Sequence, residues 1–570
     1  MRRVSIKQGG GYNNAWLGLL LLVTSIIYFY LAVHFGHGAW RTDTWFHLMR
    51  IGDLNIATRQ HRLPDVVNIT SFLGLGQAFN AMYPPYFLYI LVALTNELNG
   101  LLQWYAIQAI IVLIGLLLAG YGFRRAGGNL MTSYLFSVVT VLSQGYIAYM
   151  DNGSLGMMIG SVMLPGALIA TYNVAKNHQY CDILSLSVPV AVTLNSHLAT
   201  AVLMAIVIIA LTIWQSTSAR SWRLFFSFCL AGIMALLMSA PAWLLPIIMA
   251  PSHLSSVRLI PLKGSGILSI IERTFILNKF SLMSWLGLAA LVYVPVSALK
   301  HRHFKDSGPY YVVGLIIFYL STNLFPWQVM PQKIADVLQG VEWRLLAMAA
   351  SALVVAGFLQ YLTTAPLINH IQKKGLFFVT LVGFIVPTVG SMMSIGIDNR
   401  KLPEWQPKDG YYRHTDTVLT PASFKTDEFY RLRWYTDYLP LTKPEASFEA
   451  QSSVAAHQAD INQQSVRVGR LVTPSTHAIT FLLSSTANQW IDLPFWYYSS
   501  LHYQITNVQH VKQSNRGSIM VKVAPRSKKI TINQVTTPIY KPSIVIMVLA
   551  WLGALIGLVR PIRDKIHFSS

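Results

Sequence analysis

Residues 83–98, YPPYFLYILVALTNEL, decide the arrangement of the chain, because they are apolar but shorter than its other apolar runs. A helix needs about 20 apolar residues to cross a bilayer. If 83–98 stays outside and the N-terminus is cytoplasmic, every basic cluster at the end of an apolar run faces the cytoplasm, as the positive-inside bias requires. If it crosses, all of these clusters except the first move outside. We therefore predict that 83–98 lies along the outer membrane surface, with its aromatic side chains at headgroup level.

The composition indicates that the membrane is the main solvent of the chain. Of the 570 residues, 53% are hydrophobic and 11% are charged, whereas about 25% of the residues of soluble domains are charged. A net charge of +21 on such a chain is explained by the positive-inside bias of its loops. We therefore expect the lipid bilayer as a partner and no nucleic acid.

The apolar runs predict a polytopic α-helical membrane protein of about twelve spans with both termini in the cytoplasm. The first run is long and has no good cleavage site after it, so we expect a retained span rather than a signal peptide. The predicted spans are 15–34, 101–122, 130–149, 155–175, 182–196, 198–214, 223–249, 284–299, 309–325, 344–363, 375–393 and 543–559.

The charged residues define a second domain. Half of the 22 acidic residues lie in 394–541, and from about residue 464 this block has short alternating runs such as SVRV (465–468) and KITI (529–532). Such runs predict an extracytoplasmic, β-rich, sandwich-like domain. Both cysteines, Cys181 and Cys229, lie outside the block, which excludes a disulfide scaffold there. The predicted domains are thus a membrane module, 1–393, with a first external loop, 35–100; the external domain, 394–541; and a last span with a cytoplasmic tail, 542–570.

The first external loop carries the main catalytic candidate. In a helix along the surface, Asp43 and His47 share one face, and Arg50 follows one turn later. A carboxylate there can take a proton from an acceptor hydroxyl while a cation holds a phosphate. The alternative is that Thr42 or Asp43 only caps the helix and that His47 is an interfacial aromatic residue.

Other candidates for substrate binding lie in the short external links between spans. Asp151 lies in the turn sequence Asp-Asn-Gly. It is either a pocket residue or part of an ordinary polar turn that needs no function. His197 lies between two short runs, where it is either a pocket residue or a satisfied buried histidine.

Basic residues outside the membrane run against the positive-inside bias, and this makes them candidates for an anionic ligand. Arg258, Lys263 and Arg273 lie in the segment 250–283, and Arg344 opens a span directly after Glu342-Trp343. Headgroup contacts, or a Glu342–Arg344 anchor at the interface, are the alternatives.

The sequence has no nucleotide-binding or metal-binding motif, so we expect no cofactor; a divalent metal lacks support. It also has no ionisable residue near the middle of a predicted span. Ion-coupled transporters usually place such residues at midplane, so that class is disfavoured.

A first span, a large external loop that opens with Asp43, a bundle of many spans and a C-terminal external β-rich domain follow one another along the chain. In this order of features, the chain resembles the GT-C superfamily of membrane glycosyltransferases. The stretches DTWFHLMRI (43–51) and YPPYFLY (83–89) are similar to the first external loop of the bacterial YfhO-like and pyruvoyl-tetrahydropterin-synthase-related membrane proteins. Further segments similar to this group are GSLG (153–156), LP (164–165), SHL (196–198), WR (343–344) and LPFWYY (493–498).

The resemblance implies a transferase that uses a sugar linked to a polyprenyl phosphate and a cell-envelope acceptor, such as a teichoic acid or a surface polysaccharide. It assigns the role of base to Asp43 and implies transfer with inversion. A lipid-linked glycan transporter or flippase and a non-catalytic envelope assembly protein remain alternatives. In the β-rich domain, aromatic residues such as Trp490, Trp496, Tyr497 and Tyr498 either bind sugar rings or form the sandwich core, and the core is the favoured interpretation.

Overall fold

The computed structural model is mostly helical, with two antiparallel sheets near the C-terminus. It describes the chain except for residues 1–10, 36–38, 41, 178, 256–262, 276–280, 332–333, 335–337, 339, 400, 403–416, 419–436, 441–447, 462–463, 474–477, 484–488 and 568–570.

Most helices of the membrane module fall on the predicted apolar runs, whereas those at 42–59, 79–82 and 267–275 lie between the runs. The helices are α1 (Gly11–Phe35), α2 (Thr42–Arg59), α3 (Phe79–Met82), α4 (Tyr86–Thr95), α5 (Gly100–Ala126), α6 (Leu130–Val141), α7 (Gln144–Asn152), α8 (Leu155–Asn177), α9 (Tyr180–Leu194), α10 (Leu198–Ala219), α11 (Trp222–Leu237), α12 (Ala240–Met249), α13 (Ile267–Phe275), α14 (Trp285–His301), α15 (Gly308–Ser321), α16 (Val341–Thr364) and α17 (His370–Asn399). Helix α18 (Phe448–Ala455) precedes the sheets, and α19 (Tyr540–His567) follows them.

Within the described chain, eight helices are long and apolar enough to cross a bilayer, and α11 with α12, bent by 70°, makes a ninth. One of the eight is α6 and α7 taken together, Leu130–Asn152. Three predicted spans fall on the shorter apolar helices α9, α14 and α15. The chain is thus a multi-pass membrane protein, and the count of twelve, like the orientation of the termini, stays a prediction.

The segment 83–98 forms the ten-residue helix α4. At 1.5 Å per residue this helix is roughly 15 Å long, half the thickness of the hydrocarbon core. Tyr86 and Phe87 are buried inside the protein, so their side chains face other protein groups; the placement of the segment at headgroup level stays a prediction. Tyr89 donates a hydrogen bond of 2.5 Å to the carbonyl of Arg62. The aromatic residues pack within the protein because α2 covers one side of α4.

The first external loop is organised by a buried carboxylate. Asp53, on α2, accepts hydrogen bonds from Asn68 at 2.8 Å, from Thr70, and from Asn80 at 3.4 Å. Asn80 also donates to the carbonyl of Asp65. Because buried carboxylates need such partners, Asp53 fixes the segment 65–80 against α2.

The C-terminal domain is a pair of antiparallel sheets. The described strands of the whole chain are β1 (Ala39–Trp40), β2 (Thr417–Val418), β3 (Gln458–Ile461), β4 (Gln464–Arg467), β5 (Gly469–Thr473), β6 (Ala478–Leu482), β7 (Trp490–Trp496), β8 (His502–Thr506), β9 (Val508–Gln513), β10 (Ser518–Val523) and β11 (Lys529–Thr536), and the pair of sheets contains β3 to β11. One sheet has the order β4-β3-β7-β10-β9 and the other β5-β6-β11-β8, while β1 pairs with β2. The β-rich character predicted from about residue 464 is present, and β3 begins six residues earlier.

This domain packs directly on the first external loop. The backbone N–H of Trp496 donates to the carbonyl of Leu75 at 2.9 Å. The Phe495 ring lies over Gly76, whose φ is +69° and where any side chain would overlap the ring. Trp496 and Tyr498 are buried, which agrees with the core interpretation of these aromatic residues; Tyr497 stacks on Tyr503 at 5.0 Å between ring centroids.

Candidate functional site

Asp43 lies in the first turn of α2, where the positive end of the helix dipole favours a carboxylate. Its Oδ2 accepts a hydrogen bond of 2.6 Å from the Oγ of Ser154, the residue just before α8. The carboxylate therefore makes a contact 111 residues away in the chain and does more than cap its own helix.

A tight turn brings Ser154 to Asp43. Helix α7 ends at Gly153, whose φ is +71°, a conformation that favours glycine. The Cα of Gly153 lies so close to Thr44 that a Cβ would overlap its side chain and lie 2.7 Å from its backbone nitrogen. The Asp-Asn-Gly sequence thus forms the predicted turn, and its glycine also lets α2 approach the start of α8. Asp151 is buried in the last turn of α7.

Arg344, in the first turn of α16, is 5% exposed. Burial raises the pKa of Asp43, while the Ser154 hydrogen bond and the positive charge of Arg344 lower it by less. Asp43 therefore has a pKa above the ordinary range of aspartate, with a guanidinium in electrostatic contact. Tyr149 donates a hydrogen bond to the carbonyl of Trp343 and so anchors the start of α16 to α7.

Arg344 also lines a small pocket of about 20 Å³ between α7, α8, α10 and α16. The walls include Gly160 and Ser161 of α8, Thr200 of α10 and Met348 of α16. A space of this volume holds about one water molecule, and it lies beside a buried cation.

Two histidines flank Tyr83 next to this pocket. The Tyr83 ring lies 5.5 Å from the His47 ring and 5.0 Å from the His197 ring, between centroids. His197 caps α10, because its Nδ1 accepts from the backbone N–H of Thr200 at 3.2 Å, and this leaves Nε2 to carry the proton. Gly156 of α8 allows the approach, since a Cβ there would lie 2.7 Å from Cδ2 of His197.

Both histidines are held neutral by their surroundings. Burial lowers the pKa of His47 well below its ordinary value, and the charge of Arg50 lowers it further. Burial likewise lowers the pKa of His197, helped by the charges of Arg344 and Arg50. Two neutral imidazoles beside a carboxylate offer hydrogen-bond donors and acceptors without adding charge.

Arg50 lies at the other side of Tyr83. Its Nη2 donates to the carbonyls of Tyr83 at 2.9 Å and Pro84 at 3.1 Å, and its guanidinium carbon lies 4.4 Å from the Tyr83 ring centroid. Burial lowers the pKa of Arg50 to about 10, still well above neutrality. These contacts tie the start of the 83–98 segment to α2.

Of the basic residues predicted to lie outside, Lys263 and Arg273 have exposed side chains, with Arg273 on the last turn of α13. Arg258 lies outside the described residues. Arg344 therefore differs from Lys263 and Arg273 in being buried and in acting on Asp43.

Three contributors to this site were not predicted as such: Ser154, Tyr83 and Tyr438. Tyr438 comes from the external domain, its backbone N–H donates to the carbonyl of Ser255 at 3.3 Å, and its carbonyl accepts from Tyr498. Burial raises the pKa of Tyr438 to about 12, and the charges of Arg344 and Arg50 oppose this rise. Ser154 was detectable as a hydroxyl next to the Asp151 turn; Tyr438 lies in a stretch without periodicity and gave no signal.

Across the described ranges of the chain, no group of three or more His, Cys, Asp or Glu residues is placed to hold a metal ion.

No protein-family model matches the chain, and no curated protein matches it. Among solved structures, it is similar to the archaeal oligosaccharyltransferase AglB from Archaeoglobus fulgidus, determined in complex with an inhibitory peptide and a dolichol-phosphate. The identity is 12% and the TM-score 0.33, and the alignment covers 76% of this chain and 62% of that chain. The chain thus spans less than two thirds of the length of that structure.

Proposed function

We propose that the chain is a membrane glycosyltransferase of the GT-C type that moves a sugar from a polyprenyl-phosphate-linked donor to a cell-envelope acceptor, such as a teichoic acid or a surface polysaccharide. The reaction takes place at the outer membrane face, with Asp43 as base. One observation carries this proposal: at the end of an apolar helical body, a carboxylate of raised pKa lies under the influence of a buried arginine that lines a pocket.

The proposed step is a direct displacement. Asp43 takes the proton of an acceptor hydroxyl, and the hydroxyl oxygen forms a bond to the anomeric carbon of the donor sugar. The bond between that carbon and the phosphate oxygen breaks, and polyprenyl phosphate leaves with the electron pair. Attack opposite to the leaving group inverts the anomeric centre. The raised pKa of Asp43 suits a base that works near neutral pH.

Arg344 is the proposed partner of the donor phosphate. It opens a helix that spans the membrane by length and composition, which places it near headgroup level, where a lipid-linked phosphate resides. Its charge stabilises the leaving phosphate without a metal. His47, His197 and Asp151 are proposed to line the sugar site, and Lys263, Arg258 and Arg273 to attract anionic substrates from outside. Arg50 is proposed to support the site through Tyr83.

A transporter or flippase of lipid-linked glycans, and a non-catalytic assembly protein, are the alternatives. Neither needs the protonation chemistry of a carboxylate at the pocket. A substitution that removes only the charge of Asp43 therefore distinguishes these alternatives from the transferase.

The test is Asp43→Asn in cells whose envelope polymer is glycosylated by this protein, with Glu97→Gln as the matched control. Glu97 is an exposed acid of the same external loop. We expect glycosylation of the polymer to be lost in Asp43→Asn and retained in Glu97→Gln at equal amounts of inserted protein. Unchanged glycosylation in Asp43→Asn would rule out the catalytic role of this residue.

A further inference from the structure

A second, larger cavity of about 140 Å³ lies in the membrane module, between α6, α14, α16 and α17. Its walls are largely apolar and include Leu135, Leu286, Val354 and Phe377. The oxygen-bearing side chains in its lining are Thr132, Tyr293, Tyr361 and Thr380. Apolar cavities of about this volume stay dry and bind small apolar groups.

This cavity belongs to the half of the bundle away from Asp43. Arg344 marks the Asp43 end of α16, and the cavity residues of this helix begin at Val354. Ten residues at 1.5 Å each place Val354 roughly 15 Å farther along the axis. Helix α6 supports the same placement. Its cavity residue Thr132 lies in its first turn, whereas α7, which follows α6, ends beside the Asp43 site.

Basic side chains gather at that far end. Lys300 and Arg302 end α14, and Lys373 and Lys374 lie in the first turns of α17, one turn before Leu376 of the cavity wall. In the fully described ranges 298–308 and 365–380, the one acid is Asp306, which accepts a hydrogen bond of 3.3 Å from Tyr172. The far end is therefore positively charged.

We propose that this cavity binds a segment of one acyl chain of an anionic phospholipid, whose phosphate lies against Lys373 and Lys374. Apolar walls left unfilled forfeit dispersion contacts, and hydrocarbon is the solvent around a membrane span. Anionic headgroups are attracted to basic residues at the ends of spans. The choice of a phospholipid over a polyprenyl phosphate rests on the proposed function, since the donor phosphate must reach Asp43 at the opposite end.

Filling the cavity tests the proposal. A Cβ at Gly357 would lie 3.5 Å from the Cβ of Ala290, an ordinary contact, so Gly357→Leu extends a side chain into the cavity region. Gly232→Leu is the matched control, because no heavy atom lies within 4 Å of a Cβ there. Val379→Phe fills the same cavity from α17, where Val379 is 62% exposed and the fold tolerates a larger residue.

The measurement is native mass spectrometry of the full-length protein in mild detergent with added phosphatidylglycerol, phosphatidylcholine of the same acyl chains, or a polyprenyl phosphate. We expect one retained phosphatidylglycerol in the wild type and in Gly232→Leu, and about tenfold less in Gly357→Leu and Val379→Phe. Lys373→Gln with Lys374→Gln should abolish the preference for phosphatidylglycerol over phosphatidylcholine.

Undiminished retention in both filling variants would overturn the site, and equal retention of the two phospholipids by the wild type would overturn the role of the lysines. Displacement of phosphatidylglycerol by an equal amount of polyprenyl phosphate would overturn the choice of lipid. None of these readouts depends on sugar transfer, so failure here is distinct from failure of the transferase proposal.

Discussion

At the scale of single residues, the site depends on what surrounds one carboxylate. The sequence analysis placed Asp43 and His47 together on a surface helix, and the structure has that helix, α2. The partners of Asp43 could not be predicted, because Ser154 and Arg344 approach it only after α8 and α16 have packed. Patterns along the chain report helical faces, and they do not report which distant residue meets a face.

The Ser154 hydrogen bond has a measurable consequence for pH dependence. A base works when deprotonated, so activity falls as pH drops through the pKa of Asp43. Ser154 stabilises the charged carboxylate and thereby lowers this pKa. In Ser154→Ala we expect the acid limb of the kcat/KM profile to move to higher pH by about one unit, since one unit corresponds to about 1.4 kcal/mol.

The matched control is Ser185→Ala, which removes a hydroxyl bonded to the carbonyl of Cys181 within α9. Its profile should overlay that of the wild type. If the acid limb of the kcat/KM profile stays in place in Ser154→Ala, or moves to lower pH, the assignment of Asp43 as the titrating base is contradicted.

At the scale of elements, the start of α8 decides whether the site can assemble. Gly153, Gly156 and Gly160 let this helix approach Thr44, His197 and Thr200, respectively. The apolar helices and the Asp-Asn-Gly turn could be predicted from the sequence, because hydropathy and turn chemistry are local properties. The buried environment of α4 was missed, since an amphipathic surface helix and a short helix buried on one side have similar sequences.

Gly156→Ala tests this close approach. The added methyl group would overlap the Tyr83 hydroxyl and crowd His197, so we expect transfer to fall at least tenfold. Overpacking should also lower the free energy of unfolding by about 1–3 kcal/mol. Thermal unfolding in detergent and a transfer assay measure both effects. Gly232→Ala, in open space on α11, should affect neither; wild-type activity and stability in Gly156→Ala would show that the packing is looser than described.

At the scale of the whole molecule, the C-terminal β-rich domain is part of the site's support. Its strand β11 was predicted from an alternation that matches one buried and one exposed face, but β7 gave no alternation because it is buried on both faces. That strand ends in Phe495 and Trp496, which hold the 72–80 segment. The contact joins parts of the chain about 420 residues apart, and no local pattern encodes it.

Phe495→Ala therefore should act at a distance. Phe495 is fully buried, and removing such a ring costs about 3–5 kcal/mol. We expect faster hydrogen exchange in 65–80 and reduced transfer, with donor binding affected less than turnover. Leu482→Ala, at a 52% exposed position of β6, is the control. Unchanged exchange in 65–80 would mean that the domain does not support the loop.

The most direct test of the central claim is the release of polyprenyl phosphate by purified, reconstituted protein supplied with polyprenyl-phosphate-linked sugars and envelope polymer. We predict that the wild type releases polyprenyl phosphate in step with glycosylation of the polymer. Asp43→Asn should be slower by about 10²–10⁴-fold, the usual contribution of a general base. Release at the wild-type rate by Asp43→Asn, or movement of the lipid-linked sugar across the bilayer without any release, would contradict the account.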